Sequence, residues 1–231
     1  MPLTQAIILI FTKYPRPGAV KTRLIPHLGE QKAANLQRRM GQATCETVRQ
    51  ALRSTTWQDI EEKTKTTSSR AAGRQAGNAV VYYDGCSPRQ MHDWLGDYFI
   101  YKQQSGNDLG QRMANGIRNH LGTDKPVILI GTDCPDLDTA ILHSGIDALH
   151  DHDVVFGPAH DGGYYLIGVR GDIAEKSLIM LFSGISWGTS SVLAQTLRRA
   201  NTMQLRYTLL KRLHDIDTPE DLGYLHYHPG V

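Results

Sequence analysis

Pro126-Val-Ile-Leu-Ile-Gly-Thr-Asp-Cys-Pro-Asp-Leu137 is an apolar run of strand length that stops abruptly at Gly131, Thr132 and Asp133. A strand buried on both faces of a parallel sheet reads this way, and in open α/β sheets ligands gather just beyond the carboxyl ends of such strands. Asp133 is therefore expected where chemistry is done. Asp136 and Asp138 read instead as residues that start the following helix, Thr139-Ala-Ile-Leu-His143, because Asp is a good N-cap. Asp133 precedes Pro135 and lies too early to cap that helix.

The same signal recurs along the chain. Ala6 to Phe11 and Ala79-Val-Val-Tyr-Tyr83 are continuous apolar runs, and so is Tyr164-Tyr-Leu-Ile-Gly-Val169. Between them Glu30 to Arg53 repeats apolar residues at three- and four-residue steps, which predicts an amphipathic helix. Strands alternating with helices predict an α/β fold with a mostly parallel sheet and helices on both faces. At 231 residues we expect a single domain over 1-231, with the Thr-, Ser- and Lys-rich stretch 54-78 as an exposed connection. Leu178 to Trp187 reads as irregular.

Composition excludes several classes. With 25 Lys and Arg against 23 Asp and Glu the net charge is +2, so no broad field for nucleic acid or a membrane surface is expected. No run is long enough for a membrane span. Cys45, Cys86 and Cys134 are odd in number, widely spaced and without CxxC or CxxH. That pattern argues against a disulfide framework and a zinc site, and a reducing cytoplasm fits it.

Directly after the first strand, Thr12-Lys-Tyr-Pro-Arg-Pro-Gly-Ala-Val-Lys-Thr-Arg23 packs two prolines, one glycine and four cations into twelve residues. Pro and Gly shape the backbone, so the loop reads as a phosphate cradle. It is neither a Walker loop nor a dinucleotide fingerprint, since both glycine patterns are missing. Lys21 and Arg23 fall outside the apolar core pattern. Further on, Asp108 reads as a helix cap, with Arg112 one turn in, near a helix N-terminus that favours anions. Asp84, before Gly85, reads as a turn residue. Asp161-Gly-Gly163 is equally a hairpin turn or a loop that lets backbone approach a ligand. Thr218-Pro-Glu-Asp221 reads as a helix start.

Four motifs taken together carry a resemblance: Lys13-x-Pro-x-Pro-Gly18-x-Val-Lys21-Thr22-Arg23-Leu24, Gly106-x-Asp-Leu-Gly110-x-Arg112-Met113, Gly131-Thr-Asp133-Cys-Pro-Asp-Leu137 and Gly157-Pro-Ala-x-Asp161-Gly-Gly-Tyr-Tyr-Leu-Ile-Gly168. Their order and wording resemble the family of unknown-function domain 2064. These are small bacterial candidate glycosyltransferases, also called radical-SAM/selenodomain-associated transferase 1, and some are described as arsenosugar-biosynthesis glycosyltransferases. The resemblance implies the nucleotide-diphospho-sugar transferase, or GT-A, fold. Lys21-Thr22-Arg23-Leu24 also resembles 2-phospholactate guanylyltransferases of the same superfamily. The implied donor is a nucleotide sugar or a nucleoside triphosphate, and the implied acceptor a small molecule.

Either chemistry builds negative charge on a leaving phosphate oxygen, which cations and a hard divalent metal stabilise. Mg²⁺ or Mn²⁺ suits carboxylates. Asp133 is the first expected metal ligand, with Asp161, Asp215 and Asp217 open as the second. Lys13, Gly18, Lys21, Thr22, Arg23, Gly110 and Arg112 are the expected nucleotide-binding residues. Asp161 is also a candidate for the base that orients or deprotonates the acceptor.

Overall fold

The computed structural model describes residues 6–61 and 77–227. Seven strands among them form one sheet in the order β3-β2-β1-β4-β6-β5-β7: β1 (Ile7–Lys13), β2 (Ala79–Asp84), β3 (Ile100–Gln103), β4 (Val127–Ile130), β5 (Val154–Pro158), β6 (Tyr164–Val169) and β7 (Tyr207–Leu209). Only β6 runs against its neighbours, pairing antiparallel with β4 and β5. The sheet is thus mostly parallel, and the carboxyl ends of β1, β2 and β4 share one edge.

Alternation along the strands feeds two cores, because successive side chains leave a strand on opposite faces. Ile8, Ile10, Val81, Ile128 and Ile130 point to one face. There they meet Val48 and Ala51 of the long helix α2 (Glu30–Glu61), Met91 and Trp94 of α3 (Pro88–Leu95), and Leu142 and Ile146 of α5 (Thr139–Ala148). Leu9, Phe11, Val80, Val127 and Leu129 point to the other, against Met113 and Ile117 of α4 (Leu109–Arg118), Leu178 and Leu181 of α6 (Glu175–Phe182), and Leu193 of α7 (Val192–Thr202). Each such side chain contributes roughly 1.5–3 kcal/mol by leaving water. That two-sided demand is why these strands are apolar without interruption.

A third cluster shapes the functional edge. Leu24, just after the Pro/Gly loop, and Ile216, near the end of the chain, both pack fully buried on Ala33, Leu36 and Met40 of α2. The C-terminal segment reaches this point by following β5: Leu213 N–H bonds to Pro158 O, and Ile216 N–H bonds to Asp133 O at 2.9 Å.

Three features correct the sequence reading. Leu178 to Trp187 is not irregular throughout, since α6 occupies its first half and buries Leu178, Leu181 and Phe182. Helix α2 continues to Glu61, eight residues into the expected connection; residues 62–76 of that connection lie outside the described residues. The segment from Pro219 to Tyr227 starts as expected but winds as a 3₁₀ helix, and its cap is built in reverse. Asp221 Oδ2 accepts from the N–H groups of Asp217 and Thr218 and from the Thr218 hydroxyl.

Caps elsewhere follow the sequence. Asp138 accepts from Ile141 N–H at 2.8 Å and Asp108 from Gln111 N–H at 2.7 Å, each starting its helix. All three cysteines are free, with Cys45 and Cys134 buried. Burial pushes the Cys45 thiol up to about 12 and the Cys134 thiol well above its usual range. Thiolate is the reactive form, so alkylation of the folded protein at pH 8 should modify Cys86 first and spare the other two. Equal labelling of all three, read by mass spectrometry, would contradict this packing.

Candidate active site

Where β1, β2 and β4 end, the chain opens a cleft of about 770 Å³. Its floor is a buried polar patch. Thr12 Oγ1 and Thr132 Oγ1 lie 3.3 Å apart, and Gln37 from α2 donates its amide to Thr132 Oγ1 at 3.2 Å. Thr132 belongs to the Gly131-Thr-Asp133 strand end, but nothing assigned it or Thr12 and Gln37 to a site, because a single Thr or Gln beside a strand or on a helix carries no pattern of its own.

One wall is the Pro/Gly loop. Lys21, although outside the apolar core pattern, is buried: its side chain is 3% exposed and its backbone is left-handed, φ 47°. The reason is the third cluster, which draws Leu24 inward and carries Lys21 across to the C-terminal segment. Its Nζ donates to Asp133 Oδ1 at 2.5 Å, Ile216 O at 2.7 Å and Asp217 Oδ1 at 3.0 Å. Burial opposes charge on this ammonium, but the Asp133 and Asp217 carboxylates outweigh it and hold the pKa above the usual lysine value. Arg23 is 61% exposed, with Nη1 3.6 Å from Asp217 Oδ2. Lys13 and Thr22 also line the cleft.

The facing wall holds Arg112. Its Nη1 donates to Asp84 Oδ2 at 2.7 Å, and its Nε to Gly106 O at 3.2 Å. Asp84 is therefore more than the turn residue its Asp-Gly context suggests. It ends β2 on the same sheet edge as Asp133 ends β4, and it fixes the Arg112 guanidinium over the cleft. Two of the expected nucleotide-binding glycines lie beside other side chains. Gly110 lies under the Trp187 indole, where a Cβ would come within 2.6 Å of Cζ2, and Gly18 turns its α-carbon toward the Glu30 carboxylate. Neither forms part of the cleft wall.

The four candidate carboxylates separate into two pairs. Asp133 and Asp217 share Lys21 and line the cleft. Asp161 and Asp215 lie outside its walls and beside each other: Asp161 N–H reaches Asp215 Oδ1 at 3.4 Å, while Asp161 Oδ1 accepts from Gly163 N–H at 2.7 Å. Burial, and then the Asp161 charge, raises the Asp215 carboxyl above its usual range. Asp161-Gly-Gly163 is the turn of the β5–β6 hairpin, and Gly162 also meets another segment, its carbonyl accepting from Leu193 N–H at 2.9 Å.

Among the described residues no three His, Cys, Asp or Glu side chains converge as a metal cage. Asp133 and Asp217 nevertheless both face one ammonium nitrogen. That convergence suits a cation held by two protein carboxylates and completed by phosphate and water, the usual manner of Mg²⁺.

The mostly parallel seven-stranded sheet with its helices has the nucleotide-diphospho-sugar transferase fold. A solved protein of Desulfovibrio desulfuricans G20, described as a candidate nucleotide-diphospho-sugar transferase, is 30% identical over 97% of this chain and 87% of its own, with a TM-score of 0.78. The 4-diphosphocytidyl-2C-methyl-D-erythritol synthase of Anaerococcus prevotii DSM 20548 is similar over 98% of this chain and 97% of its own, at 11% identity and a TM-score of 0.54. A CMP:2-keto-3-deoxy-manno-octonic acid synthetase complexed with CTP matches at 12% identity over 96% and 97%, with a TM-score of 0.52. These two show the fold alone. The chain belongs to the bacterial family described as "Uncharacterized protein conserved in bacteria (DUF2064)", which matches residues 67–189. No curated protein matches it. Among the described residues no helix is long and apolar enough to cross a membrane.

Proposed function

We propose that the protein is a transferase that uses a nucleotide-activated donor, and within that class a glycosyltransferase moving a sugar from a nucleotide sugar to a small acceptor. The observation that carries the reading is the cleft itself: Lys13, Arg23 and Arg112 line it together with the Asp133–Asp217 pair, at the carboxyl edge of a mostly parallel sheet. Arg23 and Lys13, the more exposed cations, bind the donor's diphosphate, each contact contributing roughly 1.5–3 kcal/mol, about ten- to a hundredfold in affinity. Asp133 and Asp217 would hold Mg²⁺ or Mn²⁺, which would supply charge stabilisation for the departing phosphate. Arg112, fixed by Asp84, presents a rigid guanidinium to the nucleotide's other end. Asp161, oriented by the Gly163 N–H, serves the acceptor hydroxyl, with Asp215 behind it.

A second reading, nucleotidyl transfer from a nucleoside triphosphate, is favoured by Lys21-Thr22-Arg23-Leu24 and its likeness to guanylyltransferases. The two differ in product. A thermal-shift screen of nucleotides and nucleotide sugars with and without Mn²⁺ identifies the donor, since a ligand that binds only the native state raises its stability by mass action. Incubation with that donor, water standing in for the acceptor, then releases free sugar and nucleoside diphosphate if glycosyl transfer is right and pyrophosphate if nucleotidyl transfer is. Binding without either product would mark a non-catalytic nucleotide sensor, and no stabilisation by any nucleotide would sink the class.

A further inference from the structure

A lysine ammonium carries three N–H donors. In Lys21 all three are taken, by Asp133, Ile216 O and Asp217. No donor is left for a phosphate, and the point toward which both Oδ1 atoms turn is filled. The two carboxylates are 48% and 40% exposed along the cleft, whereas the lysine reaches them from inside. Charge sharpens the conflict. Two carboxylates with one ammonium leave a net −1; adding a divalent cation while the ammonium stays would set +2 beside +1 within a few ångströms.

We propose that Lys21 is a displaceable internal counter-ion: in the nucleotide-free protein its ammonium holds Asp133 and Asp217 together at cation spacing, and it gives up that place when a divalent cation enters. The inference rests on the reading of these carboxylates as the metal pair. The exchange keeps the ammonium protonated and moves it on its four-carbon stem into the cleft that Lys21 already lines, where donor phosphates supply its new partners. Metal and nucleotide then bind best together. The metal alone must evict the lysine with nothing to receive it, and the nucleotide alone finds the lysine engaged. Lys21 is a positioning residue before it is a phosphate ligand.

The test titrates Mn²⁺ alone, followed by electron paramagnetic resonance, into nucleotide-free wild type and Lys21→Gln. Removing the competing charge should tighten Mn²⁺ at least tenfold. A merely structural lysine predicts the opposite, since its loss would let the carboxylates splay and weaken the metal. Equal or weaker Mn²⁺ binding in Lys21→Gln overturns the proposal, and leaves the metal pair standing if Asp133→Asn and Asp217→Asn weaken Mn²⁺ in the wild-type background. Mn²⁺ binding indifferent to all three substitutions overturns both. Should Lys21→Gln fail to fold, the wild type answers alone. In a lysine-selective ¹H–¹⁵N spectrum the protected Lys21 ammonium signal should leave its original shift as Mg²⁺ with inorganic pyrophosphate saturates the protein, and its persistence at that shift at saturation overturns the exchange.

Discussion

Asp133→Asn is expected to weaken Mn²⁺-dependent binding of a nucleoside diphosphate by about a hundredfold or more while leaving the fold nearly intact. Asn keeps the size of the side chain and one acceptor oxygen, so Lys21 Nζ retains a partner at that position. The backbone carbonyl of Asp133, which accepts from Ile216 N–H, is untouched. Asp217 remains as a charged partner for the buried Lys21 ammonium, so the stability cost should be roughly 1.5–3 kcal/mol, that of one charge-assisted hydrogen bond. What Asn cannot supply is the negative charge that a hard cation requires. Losing one charged ligand is worth roughly 3 kcal/mol, hence the factor of about a hundred. A helix-capping role for Asp133 would predict a near-normal protein, and Asp138 already performs that capping. Calorimetric titration with Mn²⁺ and UDP or GDP is the measurement, and wild-type metal dependence in the variant would remove Asp133 from the site.

Gly162→Ala should be the most destabilising single methyl at this edge of the sheet. Gly162 has φ +88°, and a Cβ built on it would lie 2.0 Å from the backbone oxygen of Ser190. The left-handed backbone costs an L-residue roughly 1–2 kcal/mol. The clash is with main chain, so relief requires moving the segment before α7 or the hairpin turn, at roughly a further 1–3 kcal/mol. In sum about 3 kcal/mol is expected, a fall in melting temperature of about 6–12 °C for a domain of this size. Gly122→Ala is the control, with φ +81° and nothing within 4 Å of its Cβ, and it should show the backbone part only. A Gly162→Ala midpoint no lower than the control's would show that the hairpin and the Ser190 segment are not in firm contact. The same displacement would move Asp161, whose Oδ1 is tied to the next residue but one, so transfer to the acceptor should fall more steeply than nucleotide binding.

Much of the architecture was legible because burial on both faces of a sheet leaves a strong local mark. Uninterrupted apolar runs located β1, β2, β4 and β6, and the strand-end rule pointed from β4 to Asp133. The same rule applied to β2 points to Asp84, yet the Asp-Gly turn signal, which is commoner, hid it. Only the pairing of β2 beside β1 sets Asp84 on the cleft and gives it Arg112 as a partner. The motifs that carry the family resemblance were equally plain, since short-range wording survives without any knowledge of contacts.

What the chain could not reveal locally is which charges meet. Lys21 and Asp217 are 196 residues apart in sequence, and nothing in either neighbourhood announces the other. They are joined because Leu24 and Ile216, each beside one of them, bury their side chains on the same stretch of α2. Sequence alone thus determined that a cation-rich loop and several aspartates stand at the carboxyl edge of a mostly parallel sheet. Tertiary packing alone decided that Lys21 lies buried between Asp133 and Asp217 while Arg23 stays in solvent, and that Asp161 and Asp215 form a separate pair. Hydrophobic periodicity is written residue by residue, whereas an ion pair depends on where two distant apolar anchors happen to dock.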